Sequence, residues 1–160
     1  MRKALDLAKT AMAAGEFPVG CLIVNENNII AKGTRTGTAH VSTNEIDHAE
    51  ILALKQFYGL KTNTDPGQTV LFCTMEPCLM CFGAILLSGI RTIVYAYEDA
   101  MGGATRVDLS AISPLYKDIR IKIIPHVLRE ESLKLFQEYF SNPENTYWKG
   151  SFLEQYTLNQ

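Results

Sequence analysis

One imidazole two residues before a carboxylate, His48 and Glu50, and two thiols three residues apart, Cys78 and Cys81, are groups whose types and spacing can do chemistry. They stand in two short runs, Asp47-His48-Ala49-Glu50 and Glu76-Pro77-Cys78-Leu79-Met80-Cys81. Together they supply what a protein needs to hold a zinc ion by three ligands and to leave a fourth position to water. Zinc lowers the pKa of bound water from about 15.7 to about 7, on the order of 12 kcal/mol toward a nucleophile at neutral pH. A carboxylate beside that water has a defined task, moving its protons.

Each residue also has a plainer reading. An isolated His is more often a hydrogen-bonded core or helix-end residue, and Glu50 with Asp47 three positions before it fits a capping box. A C-x-x-C pair entering a helix suits a thioredoxin-type redox centre, but such a centre has no use for a distant His-x-Glu. Cys78 and Cys81 at a helix start put both sulfurs on one face, where the helix terminus favours thiolate. A fourth ligand from Cys21 or Cys73 would close the site and make the protein a noncatalytic zinc-stabilised interaction module. Both cysteines fall in apolar strand runs, where Cys serves as a small core residue. A regular helix points residues i and i+2 in different directions, so His48 and Glu50 can serve one ion only from a distorted first turn.

The elements that must position these groups follow from periodicity and punctuation. Residues 3 to 14 carry Leu5, Ala8, Ala11 and Met12 at helical spacing, ended by Gly15. Val19 to Val24 and Asn28 to Lys32, either side of Asn25-Glu26-Asn27, read as a hairpin. Phe17-Pro18-Val19-Gly20 at its entrance is either strand punctuation or a stretch of backbone that can approach a flat ligand. Gly33 to Glu45 has loop composition and is a candidate substrate wall. Asp47 is expected to cap a second helix ending near Gly59, and Lys61 to Gln68 is a turn region. Thr69 to Cys73 reads as a buried strand, followed by Pro77 as the first residue of a third helix that stops at Gly89. Thr92 to Tyr97 and Ile119 to Ile124 read as strands, with a loop from Glu98 to Val107, and Glu130 to Phe140 as a last long helix. Strands alternating with helices from residue 69 onward predict parallel crossovers and an α/β sandwich.

The chain has 160 residues, 47% hydrophobic and 20% charged, enough for a single core. No apolar run reaches signal-peptide or membrane-spanning length, so a cytoplasmic protein without a membrane partner is expected. In that reducing setting the four cysteines are core residues or ligands before they are disulfides. A net charge of -2 gives no general pull toward a polyanion. Residues 143 to 160 carry Tyr147, Trp148, Phe152 and Tyr156, too aromatic for an ordinary solvated terminus.

The pattern H-x-E followed by P-C-x-x-C resembles the zinc-dependent nucleobase deaminases of the cytidine and deoxycytidylate deaminase type. Within them the chain is most similar to bacterial tRNA adenosine deaminases, from Met1 to about Phe140. The likeness rests on Glu16-Phe17-Pro18-Val19-Gly20, His48-Ala49-Glu50-Ile51, Glu76 to Cys81 with Gly83-Ala84, and Asp99 with Gly103-Ala104. It implies a three-layer α/β/α sandwich around a five-stranded mixed sheet, assembled as a homodimer. It implies one zinc per chain, held by His48, Cys78 and Cys81 with a bound water or hydroxide, and Glu50 as the catalytic proton shuttle. It sets Phe17, Pro18, Val19 and Arg35, with Ala49, Glu76 and Pro77, around the base.

The substrate so implied is a tRNA anticodon loop, with a free base or nucleoside of guanine, adenine or cytosine type as the alternative. Three departures bear on that choice. Thr34-Arg35-Thr36 stands where the family has an Asn that contacts the base, and Met101 where it has a Lys. The tail replaces a basic end that RNA would favour. Residues 1–142 are thus expected to be a zinc deaminase domain. Residues 143–160 form an aromatic tail that either covers the active site, as in some guanine deaminases, or patches the domain surface.

Overall fold

Ala4, Leu5, Ala8 and Ala11 bury one stripe of helix α1 (Arg2–Ala13) in the computed structural model, which describes residues 1–39, 43–60 and 63–160. The predicted loop over 33–45 includes His40, Val41 and Ser42, and the predicted turn begins with Lys61 and Thr62; these five lie outside the described residues. The hairpin forms as β1 (Gly20–Asn25) and β2 (Asn28–Thr34), antiparallel. Glu26 and Asn27 take positive φ at its turn, the twist that a two-residue connection demands.

Helix α2 (Ala49–Gly59) ends where expected, but its N-cap is His48 rather than Asp47. The Asp47 carboxylate is held outside the helix by Asn44 Nδ2 at 2.9 Å and Lys55 Nζ at 2.7 Å, so it does not serve the helix terminus. Strand β3 (Val70–Met75) leads into α3 (Leu79–Ser88), whose N-cap is Cys78. Pro77 therefore precedes the cap instead of opening the helix, and its carbonyl accepts the Ala104 N–H at 3.0 Å. Gly89 ends α3 in the left-handed region, as a glycine at that position can.

Strand β4 (Thr92–Tyr97) matches its predicted span. A 3₁₀ turn and the single-turn α4 (Pro114–Lys117) follow, then β5 (Lys122–Ile124), shorter than the predicted 119–124. Ile119 and Ile121 still pack on the core without joining the ladder. Helix α5 (Arg129–Ser141) is the predicted last long helix, and the tail adds a helix that periodicity did not disclose, α6 (Phe152–Leu158).

The sheet runs β2-β1-β3-β4-β5, with β1 antiparallel to both neighbours and β3, β4 and β5 parallel. Helices α1 and α5 pack together on the sheet, and α2 and α3 pack together with α2 against β1 and β2, completing the mixed α/β/α sandwich. Ile23, Leu71 and Ile93 lie in register across three strands with no exposed surface, the centre of the core. Among the described residues no helix is long and apolar enough to cross a membrane. The parallel strands β3 and β4 end at Met75 and Tyr97, and it is at such carboxyl ends that open α/β sheets carry their sites.

Candidate active site

His48 and Cys78 are both helix N-caps with extended backbone, φ −66° and −69°, and neither spends its side chain on capping its own helix. The two imposed geometries turn the side chains toward each other. His48 Nδ1 lies 3.6 Å from Cys78 Sγ and 3.5 Å from Cys81 Sγ. Tetrahedral zinc, with Zn–N of about 2.0–2.1 Å and Zn–S of about 2.3 Å, holds nitrogen and sulfur about 3.6 Å apart, so the donor set and its spacing fit that ion. Two helix N-termini converge there, and their partial positive charge favours anionic ligands.

Cys78 is pulled down to about 4, chiefly by its hydrogen bond with Cys81 and against the opposing effect of burial. The same hydrogen bond and burial push Cys81 up. Cys21 and Cys73 are not part of the cluster among the described residues: they face each other across β1 and β3, wholly buried free thiols. The described donors thus number three, His48, Cys78 and Cys81.

Glu50 lies in the first turn of α2, two residues past the cap. Because His48 is not yet helical, the two side chains reach one cavity despite their spacing. Glu50 is 4% exposed, and burial pushes its carboxyl above the usual range. Gly33 on β2 lets α2 come this close, since a Cβ there would overlap the Ala49 carbonyl.

The cavity, about 310 Å³, is lined by His48, Glu50, Cys78 and Met75 together with Phe17 and Val19. Of the residues expected around the base, Phe17, Val19, Arg35 and Glu76 line it, whereas Pro18, Ala49 and Pro77 are buried and do not. Three of the lining residues, Glu76, Asp99 and Arg35, have polar atoms committed to the protein. Glu76 braces the loop after β4, accepting from Thr105 N at 3.2 Å, the Thr105 hydroxyl at 2.5 Å and Asp99 N at 3.3 Å. Asp99 in turn accepts from the N–H groups of Met101 and Gly102, and all three line the cavity. Arg35, 2% exposed, gives Nη1 to the carbonyls of Thr36, Asn44 and Asp47 and Nη2 to Glu45.

The tail completes the wall. Tyr147, Trp148 and Leu153 line the same cavity as His48 and Glu50. The Tyr147 ring sits 5.3 Å from Phe17, and its hydroxyl donates to Glu45 at 2.8 Å. Farther along, Tyr156 donates to Glu98 at 2.8 Å and Thr157 meets the Tyr97 hydroxyl at 3.0 Å. Sequence reasoning missed Glu45, Met75, Gly102 and Leu153 as lining residues. Their only signal was position: Glu45 in a loop flagged as a wall, Leu153 in a tail flagged as too aromatic for an ordinary solvated terminus.

The model for the cytidine and deoxycytidylate deaminase zinc-binding region matches residues 1–97. A tRNA-specific adenosine deaminase of Buchnera aphidicola is 33% identical over 149 residues, covering 89% of this chain and 92% of that one. A solved tRNA deaminase that performs A-to-I editing at the wobble position superposes with a TM-score of 0.70 at 27% identity, over 84% of this chain and 96% of its own. A guanine deaminase from Nitrosomonas europaea gives 0.66 at 25% identity, over 86% and 81%. The match over residues 1–97 takes in both chemical runs, and with it this chain belongs to the cytidine and deoxycytidylate deaminase zinc-binding family and is a hydrolytic nucleobase deaminase.

Proposed function

We propose that the protein converts adenosine to inosine in a tRNA anticodon loop, with His48, Cys78 and Cys81 as the ligands of one zinc ion and Glu50 as the catalytic residue. The observation that carries the reading is the meeting of those three donors beside a cavity of base-binding size that His48, Cys78 and the buried Glu50 line. The names of the relatives support the choice of substrate.

Bound zinc would supply Lewis-acid chemistry and lower the pKa of the attacking water. Glu50, dry and with a raised carboxyl, takes a proton from that water and delivers it to the ring nitrogen beside the amine-bearing carbon. A second proton passes through Glu50 to the departing amine, so that water and amine become carbonyl and ammonia. Phe17, Val19 and Met75 exclude bulk solvent around the ring.

A second reading, deamination of a free base or nucleoside, draws on one feature: Tyr147, Trp148 and Leu153 stand at the cavity, and a cover that excludes water also excludes a polymer. In that reading residues 1–142 are the deaminase domain and 143–160 its active-site cover. Ammonia release from the zinc-loaded protein separates the two. Activity on an anticodon stem-loop alone, falling steeply with added salt, supports RNA; activity on one base or nucleoside and none on the stem-loop overturns it.

The active assembly is proposed to be a cytoplasmic homodimer. Four free thiols suit a reducing compartment, and α3 presents Leu79 and Leu87, 66% and 61% exposed, either side of Gly83. Light scattering on the eluting protein tests it, a monomeric mass being the contrary result.

A further inference from the structure

The two ring nitrogens of His48 face two different neighbourhoods. Nδ1 faces the thiols, and Nε2 lies 3.8 Å from Glu45 Oε2. That same oxygen accepts the Tyr147 hydroxyl at 2.8 Å and Arg35 Nη2 at 3.2 Å, and Tyr147 and Arg35 are themselves 3.3 Å apart. The Arg35 guanidinium also lies 5.6 Å from the centre of the Tyr147 ring. Glu45 is half exposed, with nothing of its own to hold it, and a free glutamate there would sample many rotamers. One anchor comes from the loop before α2 and the other from the tail, a hundred residues downstream.

We propose that Glu45 is a positioning residue for the His48 imidazole, and that Tyr147 and Arg35 position Glu45, so that docking of the tail is part of how the metal site is built. The inference rests on His48 being a zinc ligand through Nδ1. An imidazole bound through one nitrogen carries its proton on the other, and a carboxylate that receives this proton's hydrogen bond fixes the tautomer and the ring orientation and raises ligand basicity. Among the described residues Glu45 is the carboxylate within ion-pair range of His48. The described residues on either side of Glu45 in the loop have restraints of their own, Glu16 on Thr38 and Ala39, and Asp47 on Asn44 and Lys55.

The test is zinc affinity of the full chain, measured by competition with a chromogenic chelator at fixed pH. Glu45→Gln should weaken zinc binding by about 10-fold or more, the usual cost of losing an outer partner of a metal-bound His. Tyr147→Phe should weaken it by less. The double variant should fall no further than Glu45→Gln, because the tyrosine acts through the carboxylate. Tyr156→Phe, which releases the other end of the tail from Glu98, should match the unaltered protein. Wild-type affinity in both Glu45→Gln and Tyr147→Phe overturns the inference, as does an equal loss in Tyr156→Phe. Failure of the underlying reading looks different: the unaltered protein takes up no zinc, or His48→Ala holds it as tightly.

Discussion

His48 and Glu50 are neighbours but one in sequence and face the same cavity, because the first is the extended N-cap of α2 and the second lies in its first turn. In the proposed reading, a ligand and a proton shuttle then share one reacting centre from a stretch of three residues. The arrangement separates their functions, and substitution should separate them too.

Glu50→Gln keeps the shape and loses the exchangeable proton. The expected outcome is a zinc content equal to that of the unaltered protein with kcat lower by about 10²- to 10⁴-fold, the usual worth of a positioned acid–base group. Metal analysis beside ammonia-release kinetics checks it, and near-normal turnover would remove Glu50 from the mechanism.

Cys78→Ala and Cys81→Ala should each lose metal and, with it, stability, since ligand binding is linked to folding. Chelator treatment of the unaltered protein should lower Tm in the same direction, by several degrees. A chelated protein with unchanged Tm and unchanged activity would contradict the zinc assignment.

Trp148 is 42% exposed at the cavity and carries little of the core, so Trp148→Ala tests the cover without unfolding the domain. If the tail closes over a small substrate, KM for the reacting base or nucleoside should rise about tenfold with kcat little changed. If the tail only patches the surface, both constants stay put.

Glu98 joins the end of β4 to α5 and α6. Its carboxylate meets Arg129 through Nε at 2.9 Å and Nη2 at 2.5 Å, takes the Tyr156 hydroxyl, and lies 3.4 Å from His126 Nδ1. Burial alone would raise this carboxyl, but the bonds from Arg129, the backbone and Tyr156 outweigh it and bring it to about 2. A depressed folded-state value contributes stability that is fully present above the ordinary value of 4.5 and is lost as pH falls through about 2. Glu98→Gln should therefore cost on the order of 2 kcal/mol at pH 7, and the difference should shrink between pH 4.5 and 2. Urea unfolding of both proteins at three pH values measures it; a pH-independent gap would assign the loss to packing.

Leu153, on the buried face of α6, is 2% exposed, and Leu153→Ala should cost about 2–5 kcal/mol if α6 is an integral part of the fold. A loss below about 1 kcal/mol, read from the same urea midpoints, would mean that the tail docks without support from the core.

By itself the sequence determined the chemistry and most of the elements that carry it. His-x-Glu and Cys-x-x-Cys are local patterns, and their ligand count and spacing limit the metal whatever the fold; the strands from Val70 and Thr92 and the helix from Arg129 are likewise legible, because burial on one or both faces writes itself into periodicity. The helix starts were misjudged, by one residue at Asp47 and by two at Pro77, because groups outside the first turn, the Lys55 ammonium on the Asp47 carboxylate and the Ala104 N–H on the Pro77 carbonyl, compete for what local rules would assign to the helix.

What surrounds the site came from long-range packing. That Arg35 spends its guanidinium on three carbonyls and Glu45, that Glu76 braces a wall, and that Tyr147 reaches Glu45 across 102 positions are outcomes of long-range packing, which no window of sequence contains. Aromatic tail residues have the same composition whether they patch a surface or line a cavity; the difference lies in where α6 finds Tyr97 and Glu98 to hold it.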